Sequence, residues 1–250
     1  MKPPIALAIS LMRTYRAFVS AWERATEEIV ISRWESNPVA FGPGRSDAPW
    51  INESLRKLQR ALDDMWRTGE LQKRIAITGA KVSAKNAKDS AEVFRRRLPT
   101  LKLRDIGGFP EAIEAFRKRN IALIESLQGR QLEEIRGILE VAEIQGLRVE
   151  VIRQQIQARF DVSRSKADLL ARDQTLKLNG ELTEKRQTQA GITRYKWSTS
   201  NDERVRKTHE DLDGEDFSWD DPPVTNDAGD RNHPGGDYQC RCVAIPILDD

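Results

Sequence analysis

Leu169 to Ser200 reads LLARDQTLKLNGELTEKRQTQAGITRYKWSTS, and the fold turns on where its periodicity changes. From Lys166 to about Gln187 the pattern is that of an amphipathic helix, introduced by Ser165 and Asp168 at capping-box spacing. Gly191 ends that pattern. RYKWSTS then alternates loosely and carries two aromatics, which makes it a strand candidate. Almost everything before this junction reads as helix. Everything after it reads as short strand, turn and loop. The expected fold class is therefore α+β but predominantly α: a long helical body followed by a small C-terminal α+β module with few short strands. Three regions follow in chain order: an N-terminal helical region (1–110), a helical core (111–190) and the small module (191–250).

Working towards the N-terminus, Ile5 to Trp34 reads as a helix. Leu7, Leu11, Tyr15, Phe18, Trp22, Ala25 and Ile29 form one apolar stripe at steps of three and four. SNPVAFGPGRSDAPW, with three prolines and two glycines, reads as a loop. A second helix is expected from Ile51 to about Arg67, with Leu55, Leu58, Leu62 and Met65 on its face. The alanine-rich stretch from Gln72 to Arg97 is helix-compatible, with Gly79 as its weak point. LRDIGGFP reads as a turn, and Pro110 suits a first helical position. A helix then runs to about Leu127. Gly129 and Gly146 bracket another, Gln131–Gln145, and a further helix spans Leu147–Phe160 before a break at Asp161, Val162 and Ser163.

Working towards the C-terminus, Asn201 or Asp202 can cap a short helix ending near Leu212. Asp213 and Gly214 signal a turn. WDDPPVTNDAGDRNHPGG is a long loop, and YQCRCVAIPIL reads as a final strand over Tyr238–Leu248. A module this small, with so little regular structure, needs something to hold its loops together.

The 250-residue chain is 38% hydrophobic and 32% charged, polar for a globular protein but not disordered in composition. No apolar run approaches a membrane span, and PPIALAISLM is too short and too soon interrupted to read as a leader. No membrane partner is expected. Two cysteines exclude a disulfide scaffold. Charge is polarised. From Asn201 on there are 14 acids against 5 bases, a net −9, while the first 200 residues hold 36 bases against 25 acids, a net +11. The most basic stretch is Gln72–Arg97, with eight bases and two acids. Its cations, Lys73, Arg74, Lys81, Lys85, Lys88, Arg95, Arg96 and Arg97, are candidates for contact with DNA phosphates or an acidic partner. No aromatics are interleaved to stack on bases.

The soft metal ligands are His209, His233, Cys240 and Cys242, spaced H-x23-H-x6-C-x-C. They form a candidate zinc set, though not a zinc-finger spacing. The alternative is that both cysteines lie in a strand and face opposite sides, with no metal bound. Arg241, between them, is expected to pair with an acid. Asp202, Glu203, Arg204 and Arg206 with His209 could form an acid–base set for a metal-dependent hydrolase or nuclease; helix capping and surface ion pairs are the simpler reading. The acids from Asp211 to Asp216 resemble part of a calcium loop, but Pro222 stands where its glutamate belongs. Trp197 and Trp219 are expected as core anchors, and Arg172 as a residue reaching towards the acidic module. A plain nucleic-acid-binding protein is the other alternative.

The ordered set of motifs resembles the phage head morphogenesis family, the Mu F-like minor head proteins. Its elements are Ala171-Arg172-Asp173-Gln174, then Gly191, Tyr195 and Trp197. Asp202, Arg204, Val205, Arg206, His209, Leu212 and Gly214 follow, then Pro234-Gly235 and Cys240-Arg241-Cys242. The resemblance spans roughly residues 120–247. It implies a non-enzymatic minor capsid protein of a tailed bacteriophage or prophage. Such a protein would bind the portal, the major capsid protein or a scaffold during head assembly in the host cytoplasm, with a place in the virion, and could contact DNA. Gln174, where the family often has glutamate, favours a structural role there.

Overall fold

The structure, a computed structural model, describes residues 2–36, 49–97 and 107–248, without the side chains of Arg96 and Arg97. Most of the loop expected between Ser36 and Trp50, and the start of the turn before Pro110, lie outside the described residues. Helix α1 (Ile5–Thr26) continues through a π-helical turn, Glu27–Ile31, into α2 (Ser32–Ser36). Then come α3 (Pro49–Arg67), α4 (Glu70–Arg97), α5 (Pro110–Gln145) and α6 (Val149–Gln189). The C-terminal part holds β1 (Arg194–Ser198), α7 (Lys207–Glu210), β2 (Asp216–Ser218) and β3 (Val243–Ile247). The expected class, predominantly α with a small α+β tail, is the one observed. No described helix is long and apolar enough to cross a membrane.

The described helices are longer than expected. Gly129 does not end α5, because the buried positions Ile124, Leu127, Gln131, Ile135, Leu139 and Ala142 pass it without a change of phase. A lone exposed glycine costs a helix about 1 kcal/mol, too little to outweigh that burial. Asp161, Val162 and Ser163 do not break α6 either. The buried Ser163 hydroxyl donates to Gln131 Oε1 at 2.7 Å, and Ser165 bonds back to the Asp161 carbonyl inside the helix. The capping box is absent as well: Asp168 pairs with Arg16. In α1 the π-turn shifts the buried stripe, so Val30 and Ile31 are buried where Ile29 was expected.

The chain forms two compact units, and neither is contiguous. One comprises 12–74 and 119–170, the other 1–11, 75–118 and 171–250. Chain-order divisions at 110 and 190 do not follow these units, because α1, α4, α5 and α6 each contribute to both. The first unit is helical. Its core stacks Trp22 edge-on to Phe160 (5.4 Å) and Trp34 edge-on to Trp50 (5.0 Å). Trp66 Nε1 donates to Gln128 Oε1 at 2.8 Å, and Tyr15 donates to Asn120. Arg153 bridges Glu27 and Glu35.

The second unit packs α4 and α6 around a polar seam and carries the C-terminal module. Asn86 Nδ2 donates to Thr183 Oγ1 at 2.8 Å and to Asn179 Oδ1 at 3.0 Å, while its Oδ1 accepts from Arg186 at 2.7 Å. Arg186 is only 1% exposed and also donates to Ser83. Gly79 leaves room for Phe116, whose ring carbon would stand 3.0 Å from a Cβ there. The described strands form one antiparallel sheet in the order β2-β1-β3. β1 pairs with β3 through Trp197↔Ala244 and Tyr195↔Pro246, so the final strand lies against the RYKW strand as expected. β2 was not expected: three residues beside a turn carry no readable period.

Candidate functional site

The module is built around buried Tyr195, Trp197, Trp219, Cys240, Cys242 and Ala244. β1 supplies the first two by alternation, sending Tyr195 and Trp197 inward while Arg194 and Lys196 face out. Trp197 is pinned from both sides: its N–H donates to the Glu215 carbonyl, and its carbonyl accepts from the Gly214 N–H at 2.9 Å. Gly214 lies at φ +83, where a side chain would be strained, so the Asp-Gly turn is a backbone requirement. Trp197 in turn packs edge-on against the His209 ring, with centroids 5.5 Å apart.

His209 sits on α7 and is only 3% exposed. Its Nδ1 lies 3.5 Å from Cys242 Sγ and 3.6 Å from Cys240 Sγ. Its Nε2 lies 3.1 Å from Asp237 Oδ2, which also accepts from Arg206 at 2.8 Å. Both cysteines are unpaired by disulfide and buried. They precede β3, correcting the expected strand over Tyr238–Leu248. Because Cys240-Arg241-Cys242 is not strand, the alternation that would have separated the thiols does not apply. Gln239, at φ +55, turns the chain just before them, and its N–H donates to Asp173 Oδ1 at 2.8 Å. Arg241 between them forms a two-bond ion pair with Asp202.

The electrostatics follow from this crowding. The thiol pair shares one negative charge. Cys240 is drawn down to about 5 by hydrogen bonding from Cys242 and His209 and from the Gly235 N–H. Cys242 is pushed up by its charged neighbour and by burial. His209 is raised, first by its bond to Cys240. Asp202 is held down to about 2 by Arg241.

His233 is not brought to this cluster. Its Nδ1 lies 2.9 Å from the Tyr195 hydroxyl, its ring packs on Trp219, and burial lowers its pKa. Pro234 and Gly235, its neighbours, are buried against α6. A Cβ on Gly180 would stand 2.7 Å from the Pro234 carbonyl oxygen, and Gly235 has φ +87, so helix and turn meet backbone to backbone. Gln187 on α6 also donates to the Ala244 carbonyl of β3 at 3.1 Å. The expected reach from Arg172 is made instead by Asp173, next to it. Asp237, Asp173, Gly180 and Gln187 were missed; only Gly180, a glycine on a helix face among apolar residues, offered a signal. Arg204 donates its backbone N–H to Asp202 Oδ1. The Asp211–Asp216 acids do not converge as a calcium loop would: Asp213 accepts the Thr199 N–H and Asp216 pairs with Lys196.

The basic residues of α4 are separate from this module's core. Lys73, Arg74, Lys81, Lys88 and Arg95 are exposed. Arg74 is paired with Glu70 and Lys85 with Asp89, each within the helix. The side chains of Arg96 and Arg97 lie outside the described residues.

The fold and site thus define a helical protein that ends in a small α+β module cross-braced by its own motif residues. Comparison with known proteins places that region in a family: residues 133–245 match the family described as "Phage Mu protein F like protein", and this part of the chain belongs to it. An uncharacterized protein of Haemophilus influenzae is 32% identical over 202 residues, covering 78% of this chain and 44% of that protein. The chain therefore spans less than half the length of that relative. No solved structure matches.

Proposed function

We propose that this chain is a minor head protein that acts in head assembly of a tailed bacteriophage. In this reading it binds the portal or another capsid component and does not turn over a substrate. The observation that carries the reading is how the family motif residues are used. Trp197, His209, Cys240 and Cys242 pack on one another. Asp202 holds Arg241, Arg206 holds Asp237, and Gly235 seats on Gly180. The motif is thus consumed in tying distant loops into one brace on α6, which supports a scaffolding role. The helices offer long polar surfaces, and the exposed cations of α4 suit an acidic partner surface or packaged DNA.

Co-expression of the tagged full chain with the neighbouring portal and major capsid proteins tests this. One of them should co-purify as a complex of defined mass. The reading fails if the folded chain retains neither, or if it hydrolyses nucleic acid at a rate abolished by His209→Ala.

A further inference from the structure

The geometry points to a zinc site formed by His209, Cys240 and Cys242. Among the described residues these are the three soft donors that converge, with ligand atoms all within 4.8 Å of one another. Their separations are those of a tetrahedron's edges. With Zn–S of about 2.3 Å and Zn–N of about 2.0 Å, a tetrahedral centre sets N and S about 3.6 Å apart. The two observed Nδ1–Sγ distances are 3.5 and 3.6 Å. Hydrogen bonding alone explains this less well. A single Nδ1 can hold one proton and so serve one sulfur directly, yet it stands equally close to both.

The surroundings fit a ligand set. The far nitrogen of His209 faces Asp237, the carboxylate–histidine arrangement that orients a metal-bound imidazole. Arg206 fixes that carboxylate in turn. The Gly235 N–H points at Cys240 Sγ at 3.4 Å, a donor suited to a thiolate. The Asp202–Arg241 pair and the Gln239 turn hold the C-x-C segment so that both sulfurs face one way. His233 is excluded as a ligand by its place beside Tyr195. Three protein donors leave a fourth position for water or for a donor from a partner. The metal would tie α7 to the segment before β3 in a module with few other fixed elements. This inference stands apart from the assembly role, since it concerns this chain alone.

The test uses the full chain, purified under reducing conditions and stripped of metal, with zinc chloride as the probe. One zinc per chain should bind, and alkylation of Cys240 and Cys242 in the wild-type protein should slow. Cobalt(II) in its place should give thiolate charge-transfer absorption. Cys240→Ser, Cys242→Ser and His209→Ala should lose the metal, and Asp237→Asn should weaken it about tenfold or more. His233→Asn should still bind one zinc. Thiols equally reactive with and without zinc, a Cys240–Cys242 disulfide in the isolated protein, or loss of zinc in His233→Asn would each overturn the assignment.

Discussion

A single added methyl group has opposite effects at two glycines of this chain. At Gly180 it meets the Pro234 carbonyl oxygen at 2.7 Å, a backbone atom that cannot rotate away. Gly180→Ala should destabilise the protein by about 1–3 kcal/mol, as overpacking does, in denaturant titration. At Gly129 nothing lies within 4 Å and the backbone is helical. Gly129→Ala should therefore stabilise by up to about 1 kcal/mol in the same assay. Two equal shifts would refute the close crossing of helix and turn. Asp202 adds a pH-dependent term at the same scale. Its folded value, about 2, lies below an unfolded value of about 3.9. Its contribution is present in full above the unfolded value and is lost as pH falls through about 2. Asp202→Asn should thus narrow the stability gap between pH 5 and pH 2. An NMR titration placing the wild-type carboxyl near 4 would contradict the Arg241 pairing.

Among the secondary-structure elements, the buried seam between α4 and α6 is the least tolerant contact. Asn86 satisfies Asn179, Thr183 and Arg186 together, and Arg186 is buried with a lowered pKa caused by that burial. Asn86→Ala strands several of these groups at about 1–3 kcal/mol each, so a loss of more than about 2 kcal/mol is expected from chemical denaturation. A near-neutral result would mean that the side chains re-pair without it. The same elements show what periodicity can and cannot convey. The helices were legible because Leu55, Leu58 and Leu62, or Tyr15, Phe18 and Trp22, recur at steps of three and four. Their ends were not. Gly129 and Asp161-Val162-Ser163 resemble punctuation locally, but continuous burial on either side overrides a cost of about 1 kcal/mol. The two-residue alternation around Tyr195 and Trp197 revealed β1, whereas β2 is too short to show any.

The whole molecule was the least legible scale, because its units are assembled from segments far apart in sequence. The ordered motif gave the family and brought His209, Cys240 and Cys242 into view as possible ligands. It could not show that His233 turns to Tyr195, or that Asp237 and Asp173 serve as anchors, since such partners are set by folding and not by spacing. The division into two units has its own measurable consequence. Trp197 is fully buried in the module, between β1, His209 and Phe217. Trp197→Ala removes that anchor at a cost of about 3–5 kcal/mol, comparable with the stability of a small module. The helical unit of residues 12–74 and 119–170 keeps its own aromatic core, including the Trp22–Phe160 and Trp34–Trp50 contacts. The variant should therefore retain most of its far-UV helical signal while proteases cut between 191 and 248. In calorimetry, one part of the melting profile should move to lower temperature and the other stay in place. A single transition shifted as a whole would show that the two units unfold together and that the module braces the entire helical body.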